Sequence, residues 1–113
     1  MAPAPLNLDL RIGDTETVTV EIRNGSTPVD ITGRTYRAQI RPEALSSTVI
    51  AEFSCAITNA AGGIVVCTLS ASTTAALSPT RAVWDLQETT PGTPDTVQTL
   101  VAGIVDIVAD VTR

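Results

Sequence analysis

The chain has 113 residues but no histidine and no lysine, and only one tryptophan, one tyrosine and one phenylalanine. Without histidine it lacks the usual proton shuttle and the commonest metal ligand. Hydrolysis by a Ser-His-Asp triad and zinc sites of the usual kind are therefore excluded. With no lysine and a net charge of −5, no basic run is available to displace counterions from phosphates, so nucleic acid is not an expected partner. Two cysteines do not make a thiolate metal site. No apolar run approaches membrane-spanning length, so no membrane partner is expected. The start, MAPAPLN, has neither the basic nor the apolar region of a signal peptide, which predicts a product made in the cytoplasm without one.

What is present is aliphatic and β-forming. Hydrophobic residues make up 43% of the chain and aromatics 3%, so the core must be built from Ala, Val, Ile and Leu. Only 17% of residues are charged, and Thr and Ser supply much of the remaining polarity; Thr suits the exposed face of a strand. The length allows one domain with a single core.

Prolines at positions 3 and 5 block regular hydrogen bonding, so residues 1–5 are expected to be an extended arm able to reach a neighbour, with residues 6–113 as one domain. Leu6, Leu8, Leu10 and Ile12 alternate with polar residues up to Gly13-Asp14, and Val18, Val20 and Ile22 do the same up to Asn24-Gly25. That is the period of half-buried strands. Asn24-Gly25-Ser26 also matches a glycosylation triplet, but Asn-Gly is the favoured tight-turn dipeptide. Tyr36, Ala38 and Ile40 point one way, with Thr35, Arg37, Gln39 and Arg41 the other, until Pro42 stops the ladder.

Val49, Ala51, Phe53, Cys55 and Ile57 continue the alternation, which resumes at Val65, Cys67 and Leu69 after Ala60-Ala61-Gly62-Gly63. This predicts a hairpin. SASTTAAL at 70–77 is the one plausible helical turn, capped by Ser70 or Ser72 and ended by Pro79. Ala82, Trp84 and Leu86 form another core face, PGTPD at 91–95 a loop, and Val97–Val111 a closing strand with Asp106 outward. Short strands divided by turns, with almost no helical period, mean an all-β sandwich or barrel.

Few side chains suggest chemistry. Asp14 with Glu16, Asp85 with Glu88, and Asp106 with Asp110 are neighbours in sequence, but none has calcium-loop spacing, and solvated strand faces account for them. No catalytic, cofactor-binding or metal residue is assigned, and no small-molecule substrate is expected. A sugar-binding module would need exposed aromatics, whereas Tyr36, Phe53 and Trp84 all fall on apolar registers. Cys55 and Cys67 would face each other across a hairpin symmetric about Ala61. Free thiols are the expectation in a reducing cytosol, with later oxidation open and a bulge in the turn able to separate them. Arg37 and Arg41, two pleats apart on a polar face, could pair with carboxylates of another subunit, as easily as they could form an ordinary solvated face.

GDTETVTVEI at 13–22, PVDITGRTYRAQIRP at 28–42, TLSASTTAALSP at 68–79, AVWDLQ at 82–87 and the closing GIVDIVADVTR together resemble small β-sandwich domains of tailed-bacteriophage structural proteins. The likeness is to the N-terminal domain of phage baseplate upper proteins, and it lies in the order and spacing of the five motifs. The resemblance implies an immunoglobulin-like antiparallel sandwich and a non-enzymatic virion protein of the tail tip or baseplate. A head-surface decoration or connector protein of the capsid is the alternative, with a carbohydrate-binding adhesion module ranked behind it. The resemblance also implies other virion proteins as partners, in symmetric multiple copies; the arm with Pro3 and Pro5 and the closing strand are expected to carry those contacts, with Arg37 and Arg41 as the further candidates that their strand face suggests. Larger family members continue into receptor-binding or linking domains, so a chain ending at Arg113 is expected to act as a lone module.

Overall fold

The computed structural model describes residues 3–109 and Val111. In chain order its elements are β1 (Ala4–Pro5), β2 (Leu8–Arg11), β3 (Glu16–Glu21), β4 (Arg23–Asn24), β5 (Thr27–Pro28) and β6 (Thr35–Arg41). Then come β7 (Ala51–Glu52), β8 (Ser54–Asn59), β9 (Ile64–Leu69), α1 (Ala71–Ala75), β10 (Thr80–Thr90) and β11 (Thr96–Val108). The fold is all-β with one short helix, as the alternation predicted.

The large sheet runs β1-β11-β10-β6-β7, with β2 also on β11; the smaller sheet runs β3-β9-β8, and β4-β5 is a separate hairpin. Its core lies between the two larger sheets. Ala38, Ile40, Ala82, Trp84, Leu86, Val101, Val105 and Ile107 come from one side and Val18, Val65, Cys67 and Leu69 from the other, closed by Leu8, Leu10 and Ile31. Each fully buried Leu or Ile contributes roughly 1.5–3 kcal/mol. Phe53 and Trp84, with ring centroids 5.5 Å apart, supply the large side chains that this aliphatic core otherwise lacks.

Three expectations need correction. First, the large sheet is mixed: β1 and β2 both run parallel to β11, while the other pairings are antiparallel. Second, the strand expected over residues 49–57 is divided. Its first part, β7, pairs with β6, and its second, β8, pairs with β9. Phe53 marks the switch; its N–H still donates to Ala38 O (2.9 Å) while the next residue, Ser54, already pairs with Thr68 of the other sheet. Third, the closing strand stops at Val108; Asp110 lies outside the described residues.

Ser70 caps α1, its side chain accepting from Thr73 N–H. The helix does more than turn the chain. Thr74, fully buried, accepts from Gly13 N–H (3.1 Å) and donates to Asp14 O (2.7 Å), so α1 clamps the β2–β3 turn. At Gly63, with φ of 69°, a Cβ would come within 2.5 Å of Ile22 O; only glycine admits the close crossing of the chain after β3.

Candidate interaction surface

The outward side chains of β6 and β10 pair across the large sheet: Arg37 with Gln87, Gln39 with Asp85, Arg41 with Val83. They line an open groove of about 600 Å³, together with Ala102 and Gly103 of β11. Arg37 Nε donates to Glu52 (2.8 Å), which also accepts from Gln39 (3.4 Å). Arg41 donates to Ser46 O and to Gln39 Oε1, both at 2.8 Å. Both arginines therefore have partners within their own domain. The Arg37–Glu52 pair is exposed, with 67% of the Arg37 side chain open to solvent. Such a pair is worth roughly 0–1 kcal/mol, so another protein could exchange it at little cost.

The hydrogen bond from Arg37, more than that from Gln39, holds the Glu52 carboxyl below its ordinary value. Asp85 in the groove is pushed up by burial, with Arg41 opposing. The residues that line the groove include no serine, threonine, cysteine or lysine, and no group of three or more His, Cys, Asp or Glu among the described residues could hold a metal ion. No helix among them is long and apolar enough to cross a membrane.

Of the arm, residues 1 and 2 lie outside the described residues. Pro3 is exposed, and Ala4 and Pro5 lie along the edge of their own β11, opposite Val101 and Ala102. Between β1 and β2 the chain stays against β11 and presses on Gly103, where a Cβ would come within 1.9 Å of Leu6 O. Trp84, the cross-strand partner of Gly103, donates from its indole Nε1 to the same Leu6 O (2.8 Å). Pro5 and the two arginines thus share the large sheet, with β11 and β10 between them.

Cys55 and Cys67 stand directly opposite on β8 and β9, with their sulfurs 3.2 Å apart. The register irregularity falls between Ile57 and Asn59, on the turn side of the pair.

One group escaped the sequence reading. Glu88, assigned there to a solvated face, is only 5% exposed. It accepts from Tyr36 Oη (2.6 Å), and Arg34 Nη1 lies 3.3 Å from both of its oxygens. The signal was parity: Glu88 follows Ala82, Trp84 and Leu86 on the inward register of β10. Burial, followed by the hydrogen bond to Glu88, pushes the Tyr36 hydroxyl up from its ordinary value. The Tyr36 bond ties β6 to β10 and the ion pair anchors Arg34, just before β6, to the same carboxylate; Tyr36 and Phe53 still pack against or within the core.

The sheet edges differ in character. β3 carries Glu16 and Glu21 at its two ends, and β7 is only two residues long. β8 ends the smaller sheet, and its sequence, SCAITN, has neither charge nor proline and is exposed at all but Cys55. Charge, proline and short length are the usual protections of a sheet edge; β8 has none of these three.

The fold is similar to that of the N-terminal domain of phage TP901-1 ORF48, with a TM-score of 0.59 and 15% identity, over 94% of this chain and 89% of that one. A nucleoside hydrolase-related hypothetical protein from Saccharophagus degradans, associated with carbohydrate metabolism, aligns at a TM-score of 0.34 and 14% identity. That alignment covers 95% of this chain and 23% of the other, and its score is too low to carry an argument. No protein-family model and no curated protein matches the chain. At 15% identity the ORF48 likeness shows a shared fold, that of a domain from a phage protein.

Proposed function

We propose that this chain is a non-enzymatic assembly protein of a tailed-phage particle, acting at the tail tip or baseplate in symmetric copies. The carrying observation is the likeness to the ORF48 domain, which spans nearly the whole of both chains. A shared fold hosts many functions. What favours an assembly role is the combination of that fold with surfaces suited to contact rather than chemistry. The open β8 edge can accept a strand from a neighbouring virion subunit, its unpaired backbone groups providing affinity. The Arg37–Glu52 pair and Pro3–Pro5 flank a second contact on the large sheet.

The test uses particles assembled from a genome that encodes this chain with a tag for gold labelling. Gold at the tail tip supports the reading. Label on the head surface or at the head–tail junction would instead assign a decoration or connector role, and unlabelled particles would overturn the virion assignment. Placing lysines at Ala56 and Thr58, both exposed, should leave folding intact and abolish incorporation if β8 is the joining edge. Normal incorporation of that double variant would eliminate β8.

A further inference from the structure

We propose that Cys55 and Cys67 form a thiol–disulfide exchange site, which a small-molecule disulfide such as oxidised glutathione closes into an intrachain cross-link between β8 and β9. Geometry carries the inference. Directly opposed residues of an antiparallel pair have Cα atoms about 4.5–5.5 Å apart, inside the roughly 4.4–6.8 Å range that disulfides span. Ser54↔Thr68 and Ala56↔Val66 hold the register on both sides of the pair. The sulfurs already touch at 3.2 Å, so closure needs side-chain adjustment and no change of pairing.

The two thiols are unequal in the way exchange requires. Cys55 is half-buried at the edge of its sheet, whereas Cys67 is wholly buried behind it. A hydrogen bond that Cys67 can donate to the Cys55 thiolate lowers Cys55, and the same bond, with burial, raises Cys67. Cys55 is therefore the attacking thiol. Its thiolate displaces one glutathione thiolate from the disulfide, forming a mixed disulfide at Cys55. Cys67 then gives up its proton, by way of solvent, to the glutathione thiolate already released and attacks Cys55 Sγ from the inner side, expelling the second glutathione outward as a thiolate that takes the proton Cys55 had lost. The protein loses two protons and two electrons, and one glutathione disulfide takes them up to become two thiols. The inference does not depend on the phage reading. A reducing cytosol keeps the pair open, and an oxidising exterior closes it.

Reduced protein is incubated with oxidised glutathione, quenched with iodoacetamide and weighed intact. The expected product is monomeric, lighter by two hydrogens and unlabelled at both cysteines. A lasting glutathione adduct, a disulfide-linked dimer, or no reaction while the urea-unfolded chain reacts would each overturn the site. Cys67→Ala should stop at the mixed disulfide on Cys55, and Cys55→Ser should leave Cys67 unmodified; the reverse pattern overturns the assigned order. The cysteines are 12 positions apart, and closing so short a loop should raise Tm by roughly 10 °C. An unchanged or lower Tm would show that closure strains the hairpin and would refute the cross-link as a native fit.

Discussion

Replacing Gly103 with alanine tests the close approach of the Leu6 backbone to β11. The new Cβ would sit 1.9 Å from Leu6 O and 2.5 Å from Leu6 C, so backbone must move. Leu6 is held there by its N–H donating to Ala102 O (3.0 Å) and its carbonyl accepting from Trp84 (2.8 Å). Next to it, Ile104 N–H donates to Asn7 Oδ1 (3.0 Å). Losing these bonds costs about 1 kcal/mol each, and leaving the buried indole N–H without a partner adds about 1–3 kcal/mol. The expected loss is therefore about 4–6 kcal/mol, a large part of a typical domain's 5–15 kcal/mol. Urea denaturation gives the magnitude. Emission from the single tryptophan reports the site, because an indole released from Leu6 O meets water and shifts to the red. Asn7→Ala, which removes one bond, should cost about 1 kcal/mol and leave the emission unchanged. A Gly103→Ala protein that loses under about 1 kcal/mol and keeps its emission would refute the contact, since a native Leu6 carbonyl leaves no room for the methyl.

The Tyr36 hydroxyl has its proton held in the folded state, by burial and then by Glu88, beyond the ordinary value of 10.0. Its contribution is complete below about pH 10 and declines as pH rises toward the folded value, because the unfolded chain ionises first. Tyr36→Phe should remove that alkaline slope from urea midpoints and cost about 1–2 kcal/mol at neutral pH; an unaltered slope would count against the Tyr36–Glu88 bond. Thr74→Val keeps the shape but removes the clamp on Gly13 and Asp14, for an expected loss of about 1–3 kcal/mol. Faster amide exchange at Gly13, without general loosening, would locate the effect.

Much of this architecture is local information. Alternation in a strand assigns each side chain to a face without reference to any partner, and for that reason Ala38 and Ile40, Trp84 and Leu86, and Val65, Cys67 and Leu69 could be placed inside from sequence. The Ser70 cap and the stop at Pro42 are equally local, since each depends on one residue's hydrogen-bonding groups. The same parity could have placed Glu88 inside, but carboxylates are so seldom buried that the expectation of a solvated face prevailed. Its partner Arg34 lies 54 positions away, and no spacing rule reaches that far.

What the sequence determined alone, then, is the β class, the inward face of most strands, the positions of the turns, and the lack of histidine-based chemistry. Tertiary structure decided which edges meet: the parallel docking of β1 and β2 on β11, the close approach of Leu6 to Gly103, and the change of sheet at Phe53. It also decided that Arg37 and Arg41 find partners at home, in Glu52, Gln39 and Ser46. The physical reason is that facing is set by the backbone period of each strand, whereas pairing is set by contacts summed over residues far apart in the chain.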